Sequence, residues 1–211
     1  MSVEAPGQGR GGVQKAAKSK PQRADARRNT DALLEAAMAV FTASGVDAPV
    51  REIAEKAGVG VGTVYRHFPQ RSDLVSAVFR REIDACADAA PGLAAAHEPG
   101  EALALWMQRY VSFIVARRGL AAALHSGNPA FESLPLYFEQ RLRPALQVLL
   151  ESAAAAGEVS SDIDPDELLG AVASLSKPDR DGSSARARRM VALLVDGLRY
   201  GAGRPGKPPT D

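Results

Sequence analysis

The chain is poor in the residues that build most catalytic and extracellular sites. It has a single cysteine, Cys86, which excludes an intramolecular disulfide framework and a cysteine-rich zinc module and fits a reducing compartment. Cys86 follows Phe79 and Ile83 at helical spacing, so it reads as a packing residue, with a sensing thiol as the alternative. The three histidines, His67, His97 and His125, stand in no metal-ligand spacing with one another, and no Gly-x-Ser-x-Gly elbow occurs. No catalytic residue, metal or other cofactor is therefore expected, and no enzyme. No run of 18 apolar residues is present, so no membrane span is expected. The opening MSVEAPGQGRGG lacks the apolar stretch of a secretory signal, and a cytoplasmic location is expected. Alternating β-branched runs are missing too, which leaves an all-α fold.

What is there is a chain of 211 residues, 45% hydrophobic and 24% charged, enough for one large or two small globular domains. Its net charge of +1 hides an asymmetry. Residues 1–71 carry 11 Lys+Arg against 7 Asp+Glu, whereas residues 72–211 carry 15 against 18, so the basic surface lies in the first third. Residues 1–28 hold 7 basic and 2 acidic residues among Gly, Ala, Gln and Pro, with almost nothing able to form a core. That segment reads as a disordered basic arm.

The most informative stretch is VREIAEKAGVGVGTVYRHF, from Val50 to Phe68. Val50, Ile53, Ala54 and Ala57 fall on one face of a 3.6-period helix that must be buried. Gly58 follows the last periodic residue, where a left-handed conformation is easiest for glycine, and Val59 re-enters the core. A second short helix, from about Val61 to His67, buries Val64 and Phe68 and turns Thr63, Tyr65, Arg66 and His67 outward. Two such helices around a Gly-centred turn are a helix-turn-helix, and the outward set suits phosphates and base edges. A nucleotide-cradling reading of Gly58, Gly60 and Gly62 fails, because such a loop follows a strand and needs a later glycine or a Lys-Ser/Thr pair. On this reading the basic arm either lies along DNA, adding salt-dependent affinity, or serves only as a solubilising tail.

The string Thr-Val-Tyr-Arg-His-Phe-Pro, followed by Arg71, Asp73 and Leu74, resembles the DNA-binding end of the tetracycline-repressor (TetR) family. The likeness runs from about Asn29 to Phe79 and includes a first helix striped by Leu33, Leu34, Ala37 and Phe41. It implies that Thr63 and Tyr65 lie at the groove and that His67 and Arg71 bind phosphate. It also places Arg51 where the family often has a base-reading side chain. Gly60 and Val61 depart from the usual Ser and polar or basic pair that open the recognition helix. Val61 can touch a thymine methyl but cannot hydrogen-bond, which leaves Arg51 and Arg66 as the sources of guanine recognition. Pro49 replaces a helix-capping Thr and suits the first turn of the helix.

Beyond this end the pattern is helical. The fourth helix should run from about Arg71 to Ala90 and stop at Pro91-Gly92. The next begins near Glu98-Pro99 and presents Ala102, Leu105, Trp106, Arg109, Tyr110 and Phe113. A short helix over 117–125 is broken by Ser126-Gly127-Asn128-Pro129, and a long one from about Leu134 to Ala156 should be kinked by Pro144 and ended by Gly157. Two amphipathic helices close the chain, Pro165 to Leu175 with Asp164 as cap, and about Ser184 to Tyr200. RGLAAALHSG and the closing MVALLVDGLR resemble one TetR subgroup, and the family resemblance implies that the last two helices pair with a second copy. The same helices would otherwise close a monomeric core.

Six of the few aromatics lie between residues 106 and 138. Trp106, Tyr110 and Phe113, with Phe131, Tyr137 and Phe138, are the expected wall of a largely apolar ligand pocket, to which His125 and the Tyr hydroxyls would bring polar groups. Ordinary core packing is the plain alternative for each. The domains expected are the arm 1–28, a helix-turn-helix domain 29–71, a helical ligand-binding and dimerisation domain 72–203 and a flexible tail 204–211. The functional reading is a ligand-responsive repressor that binds a near-palindromic DNA operator as a homodimer and is released by an unidentified apolar small molecule. The competing reading is a helical small-molecule-binding or scaffold protein whose helix-turn-helix only packs.

Overall fold

The computed structural model describes residues 20–116, 127–176 and 184–201. The expected helix over 117–125, His125 with it, and the tail 204–211 lie outside the described residues. Those described form α1 (Lys20–Ser44), α2 (Val50–Ala57), α3 (Val61–His67), α4 (Arg71–Ala87), α5 (Ala89–Ala96), α6 (Pro99–Ala116), a 3-10 turn (Pro129–Phe131), α7 (Leu134–Ala155), α8 (Pro165–Leu175) and α9 (Ala185–Gly201). Among them there is no strand, and no helix is long and apolar enough to cross a membrane.

Two boundaries differ from the sequence reading. α1 starts at Lys20, so residues 20–28 of the segment read as a disordered arm are helical. Low apolar content argues against a core, but Lys, Gln, Arg and Ala are good helix formers, and extending a helix already fixed by packing costs no new nucleus. Pro21 stands in the first turn, where its missing N–H is no loss. The second difference is at Pro91-Gly92, which do not end the helical run. The chain bends at Asp88 and continues as α5, with Pro91 in that helix's first turn. Proline fits a helix stop in sequence, and it fits equally a restart three residues after a bend.

At Asp164 and Gly157 local chemistry and structure agree. Asp164 caps α8, its Oδ1 accepting from the backbone N–H groups of Asp166 and Glu167 at 2.8 and 3.0 Å. α7 continues through Pro144 and gives way at Gly157, whose φ of 72° is left-handed.

One apolar core runs through the described helices. Leu33, Ala37 and Phe41 of α1, Ile53 and Ala54 of α2 and Val64 of α3 close around Leu74, Val75 and Val78 of α4. Further along, α4 turns Ile83 and Cys86 toward Trp106, Met107 and Tyr110 of α6 and Leu142, Leu146 and Leu149 of α7, so one helix belongs to both halves of the core. Its C-terminal carbonyls, which a helix leaves without internal partners, are met from α6: Trp106 Nε1 donates to the Cys86 carbonyl at 3.0 Å and Arg109 Nε to the Ala85 carbonyl at 3.1 Å. The Cys86 thiol itself is buried, and burial pushes its pKa up to about 12, with Arg109 lowering it and Glu82 raising it by less. It is a neutral packing group, as its helical spacing suggests.

Candidate nucleic-acid interface

The geometry of the helix-turn-helix follows from a few positions. Gly58, at φ 67° and ψ 29°, ends α2 in the left-handed region, its N–H donating to the Glu55 carbonyl at 3.1 Å while Val59 N–H donates to Ala54 at 3.0 Å. There is open space where a Cβ would sit, so it is the backbone angle and not crowding that calls for glycine. Gly60 then opens α3 with extended backbone, and its carbonyl takes the N–H of Thr63 at 2.8 Å. Pro49 stands one position before the first turn of α2, at the N-cap, and brings no side-chain cap.

α3 is seven residues long and buries only Val64. Val61, Gly62, Tyr65 and Arg66 are exposed at spacings of one, three and one, so they share a face turned to solvent. Tyr65 is 51% exposed, a large apolar ring on a short helix with no core role. Thr63 is half-buried, and its carbonyl accepts from His67 Nδ1 at 2.9 Å. A carbonyl can only accept, so Nδ1 carries the hydrogen and Nε2 donates outward only when the ring is an imidazolium. Phe68 is half-buried against the core.

Arg51 lies on α2 with its Nε 2.9 Å from Glu55 Oε1, both side chains well exposed. Such a surface pair contributes only about 0.3–0.5 kcal/mol, so Arg51 is easily given up to another acceptor. Arg71 has a different environment. Its Nη1 and Nη2 donate to the carbonyls of Val46 and Ala48, in the loop between α1 and α2. The resemblance implies a phosphate contact for Arg71, and the structure gives two of its nitrogens to this loop. The same turn is closed by Asp73, whose Oδ2 accepts from Gln70 N–H at 3.0 Å as part of a capping box. α3 is therefore held on one side by the Gly58 turn and on the other by a helix start clamped to the preceding loop.

The expected ligand wall is tightly packed. Trp106, Tyr110 and Phe113 are buried, with ring centroids 5.8 and 6.1 Å apart along α6. Phe138 packs 6.2 Å from Tyr110 and 6.1 Å from Phe113, and Phe79 of α4 adds a ring 6.0 Å from Phe113. These rings fill one another's space. Phe131 is buried in the 3-10 turn. Tyr137 faces a polar clasp instead: its hydroxyl meets Asp84 at 2.7 Å, Asp84 meets Arg141 at 2.7 Å, Arg141 meets Asp88 at 2.6 Å, and Arg80 lies 4.5 Å over the Tyr137 ring. Burial, then the hydrogen bond to Asp84, raises the Tyr137 phenol above its ordinary pKa. The clasp ties α4 to α7 across more than 50 residues of sequence, and no spacing rule could have found it. Two clefts stand out among the described residues, one of about 250 Å³ along α7 and the loop to α8 and one of about 390 Å³ between α6 and α9, and none of the aromatics above lines either.

An exposed, hydrogen-bonding face on a short, clamped second helix, attached through α4 to a larger helical domain, defines a helix-turn-helix DNA-binding protein. Residues 33–78 match the family of bacterial regulatory proteins of the tetR type, and residues 98–200 match the C-terminal domain of SbtR-like transcriptional regulators. A TetR transcriptional regulator from Streptomyces coelicolor is 40% identical, with 80% of this chain and 97% of that one covered and a TM-score of 0.68. A TetR transcription regulatory protein from Mycobacterium vanbaalenii is 37% identical, covering 85% and 99%, with a TM-score of 0.66. An HTH-type transcriptional regulator of Staphylococcus aureus strain USA300 is 40% identical over 63 residues, 29% of this chain; the match spans about a third of the curated relative, 34% of its length. The chain belongs to the TetR family of transcriptional regulators.

Proposed function

We propose that the protein is a ligand-responsive repressor that binds a near-palindromic operator as a homodimer, with one α3 in each of two successive major grooves. The observation that carries this reading is the outward face of α3, where Tyr65 and Arg66 are exposed while Val64 alone anchors the helix. Arg51 and Arg66 are the proposed base readers, Val61 a thymine-methyl contact, and Gly60, Thr63, Tyr65 and His67 the groove and phosphate contacts. Arg71 acts by fixing the loop before α2. A second copy is supported by the exposed faces of the last two helices, with Leu193, Gly197 and Tyr200 on α9 and Gly170, Ser174 and Leu175 on α8. Release requires a ligand that binds the DNA-incompetent state more tightly than the competent one, since equal affinity shifts nothing. An apolar effector seated among Trp106, Tyr110 and Phe113 would have to part rings that now fill that space.

Base reading is tested by substitution. Arg66→Ala and Arg51→Ala should each weaken operator binding by about 1–3 kcal/mol and relax preference at one base position. Binding to operator and scrambled duplexes at fixed salt measures both, and equal losses on the two duplexes would remove these residues from base readout.

His67 is tested by substitution too. If its ring donates to a phosphate, His67→Ala should weaken binding about tenfold, the size of one charge-assisted hydrogen bond, on operator and scrambled duplexes alike. Affinity unchanged by that substitution would show that His67 makes no such contact.

A further inference from the structure

The cleft of about 390 Å³ between α6 and α9 is lined by Gln108, Arg109, Ser112 and Arg188. It is unlike the rest of the C-terminal domain, whose interior is apolar and filled. Gln108, Ser112 and Arg188 are joined by hydrogen bonds. Gln108 Nε2 donates to the Arg188 carbonyl at 3.1 Å, Ser112 Oγ to the Gln108 carbonyl at 3.0 Å, and Arg188 Nη2 lies 3.4 Å from Ser112 Oγ. Arg109 is oriented from the other side by its Nε bond to the Ala85 carbonyl.

Charge makes the cleft informative. Arg51, Arg81, Arg141, Arg143 and Arg199 each have a carboxylate partner among the described residues, and Arg109 and Arg188 are not among them. Each of the two spends one N–H donor on a neutral oxygen and keeps the others. Two like charges facing one recess repel each other, and an oxyanion between them would remove that repulsion while accepting paired N–H donors in the geometry guanidinium favours. The recess is open to solvent, so a small anion could reach both guanidinium groups directly.

We infer that this cleft is a binding site for a small oxyanion, a carboxylate or phosphate compound, held by Arg109 and Arg188 with the second amide N–H of Gln108 as a neutral donor and Ser112 positioning Arg188. The inference deepens the ligand-responsive reading by naming a chemical class for an effector, one opposite to the apolar compound that the aromatic cluster suggested. It also gives the site a route to the DNA-binding half. An anion drawing on Arg109 competes with the Ala85 carbonyl at the end of α4, next to the Cys86 carbonyl held by Trp106.

The test is calorimetric titration of the full chain, without DNA, with succinate and separately with inorganic phosphate at constant ionic strength in chloride. Saturable one-to-one binding of either is expected, and the tighter of the two assigns the class. Arg188→Gln should weaken it at least about tenfold, while Arg189→Gln, an exposed neighbour outside the cleft, should leave it unchanged. Emission of Trp106, the sole tryptophan, should shift with the same saturation curve. No saturation by either anion up to about 10 mM, or equal binding by the Arg188→Gln protein, would overturn the assignment. Because these titrations contain no DNA, their failure is distinct from failure of operator recognition, which is read in duplex binding alone.

Discussion

Arg71→Ala should cost the protein more than a lost phosphate contact would. Two charge-assisted hydrogen bonds, to the carbonyls of Val46 and Ala48, disappear together, and each is worth about 1.5–3 kcal/mol. The expected loss of stability is about 3 kcal/mol, seen as a lower urea midpoint. With the loop before α2 released, α3 no longer meets DNA in a fixed pose, and affinity should fall at least about a hundredfold on operator and scrambled duplexes alike. Arg71→Lys retains the charge but has a single nitrogen head, and should recover only part of the stability. An Arg71→Ala protein that unfolds like wild type yet binds DNA poorly would return Arg71 to direct phosphate contact.

A second large effect is expected from Leu193→Glu. α9 has two faces. Ala187, Val191 and Val195 are buried against the chain's own core, whereas Leu193 is 63% and Tyr200 91% exposed. Removing the helix from Ser184 onward would damage the core and blur the result, but a charge at Leu193 touches only the outward face. If that face pairs with its own copy, the two new carboxylates meet across a two-fold axis, and the dimer should dissociate with little change in the monomer's unfolding. Operator affinity should then drop by about 10²–10⁴, the gain that linking two readers normally supplies. Sedimentation of Leu193→Glu as a monomer beside a dimeric wild type is the expected pair of results. A wild type that is already monomeric at micromolar concentration would contradict it.

The parts of this molecule legible in its sequence are those set by near neighbours. α2 and α3 follow from the spacing of Val50, Ile53, Ala54 and Val64 and from one glycine that must turn left-handed. The cap at Asp164 and the break at Gly157 are likewise local. Pro91 misled because proline punctuates a helix at its start as readily as at its end, and the bend that decides between them, at Asp88, carries no residue signal. Arg71 shows a different limit. Its partners lie 25 and 23 residues away, and a guanidinium that holds a loop has the same one-letter code as one that holds a phosphate. The aromatic run from Trp106 to Phe138 marks a site and a core equally well; only the fold packs Trp106, Tyr110, Phe113 and Phe138 against one another and turns Tyr137 to Asp84. Nothing in the sequence pairs Arg109 with Arg188, which stand 79 positions apart on two helices that pack side by side.

Recognition of DNA by two copies of α3 can be measured directly. Genomic fragments retained by the purified full-length chain at physiological salt can be sequenced and aligned. The expected result is one enriched motif made of two inverted half-sites whose centres lie about 34–36 Å, one helical turn, or a multiple of it apart. Retention of fragments without a shared sequence, or of a single unpaired half-site, would contradict a homodimer that recognises its operator through two copies of α3.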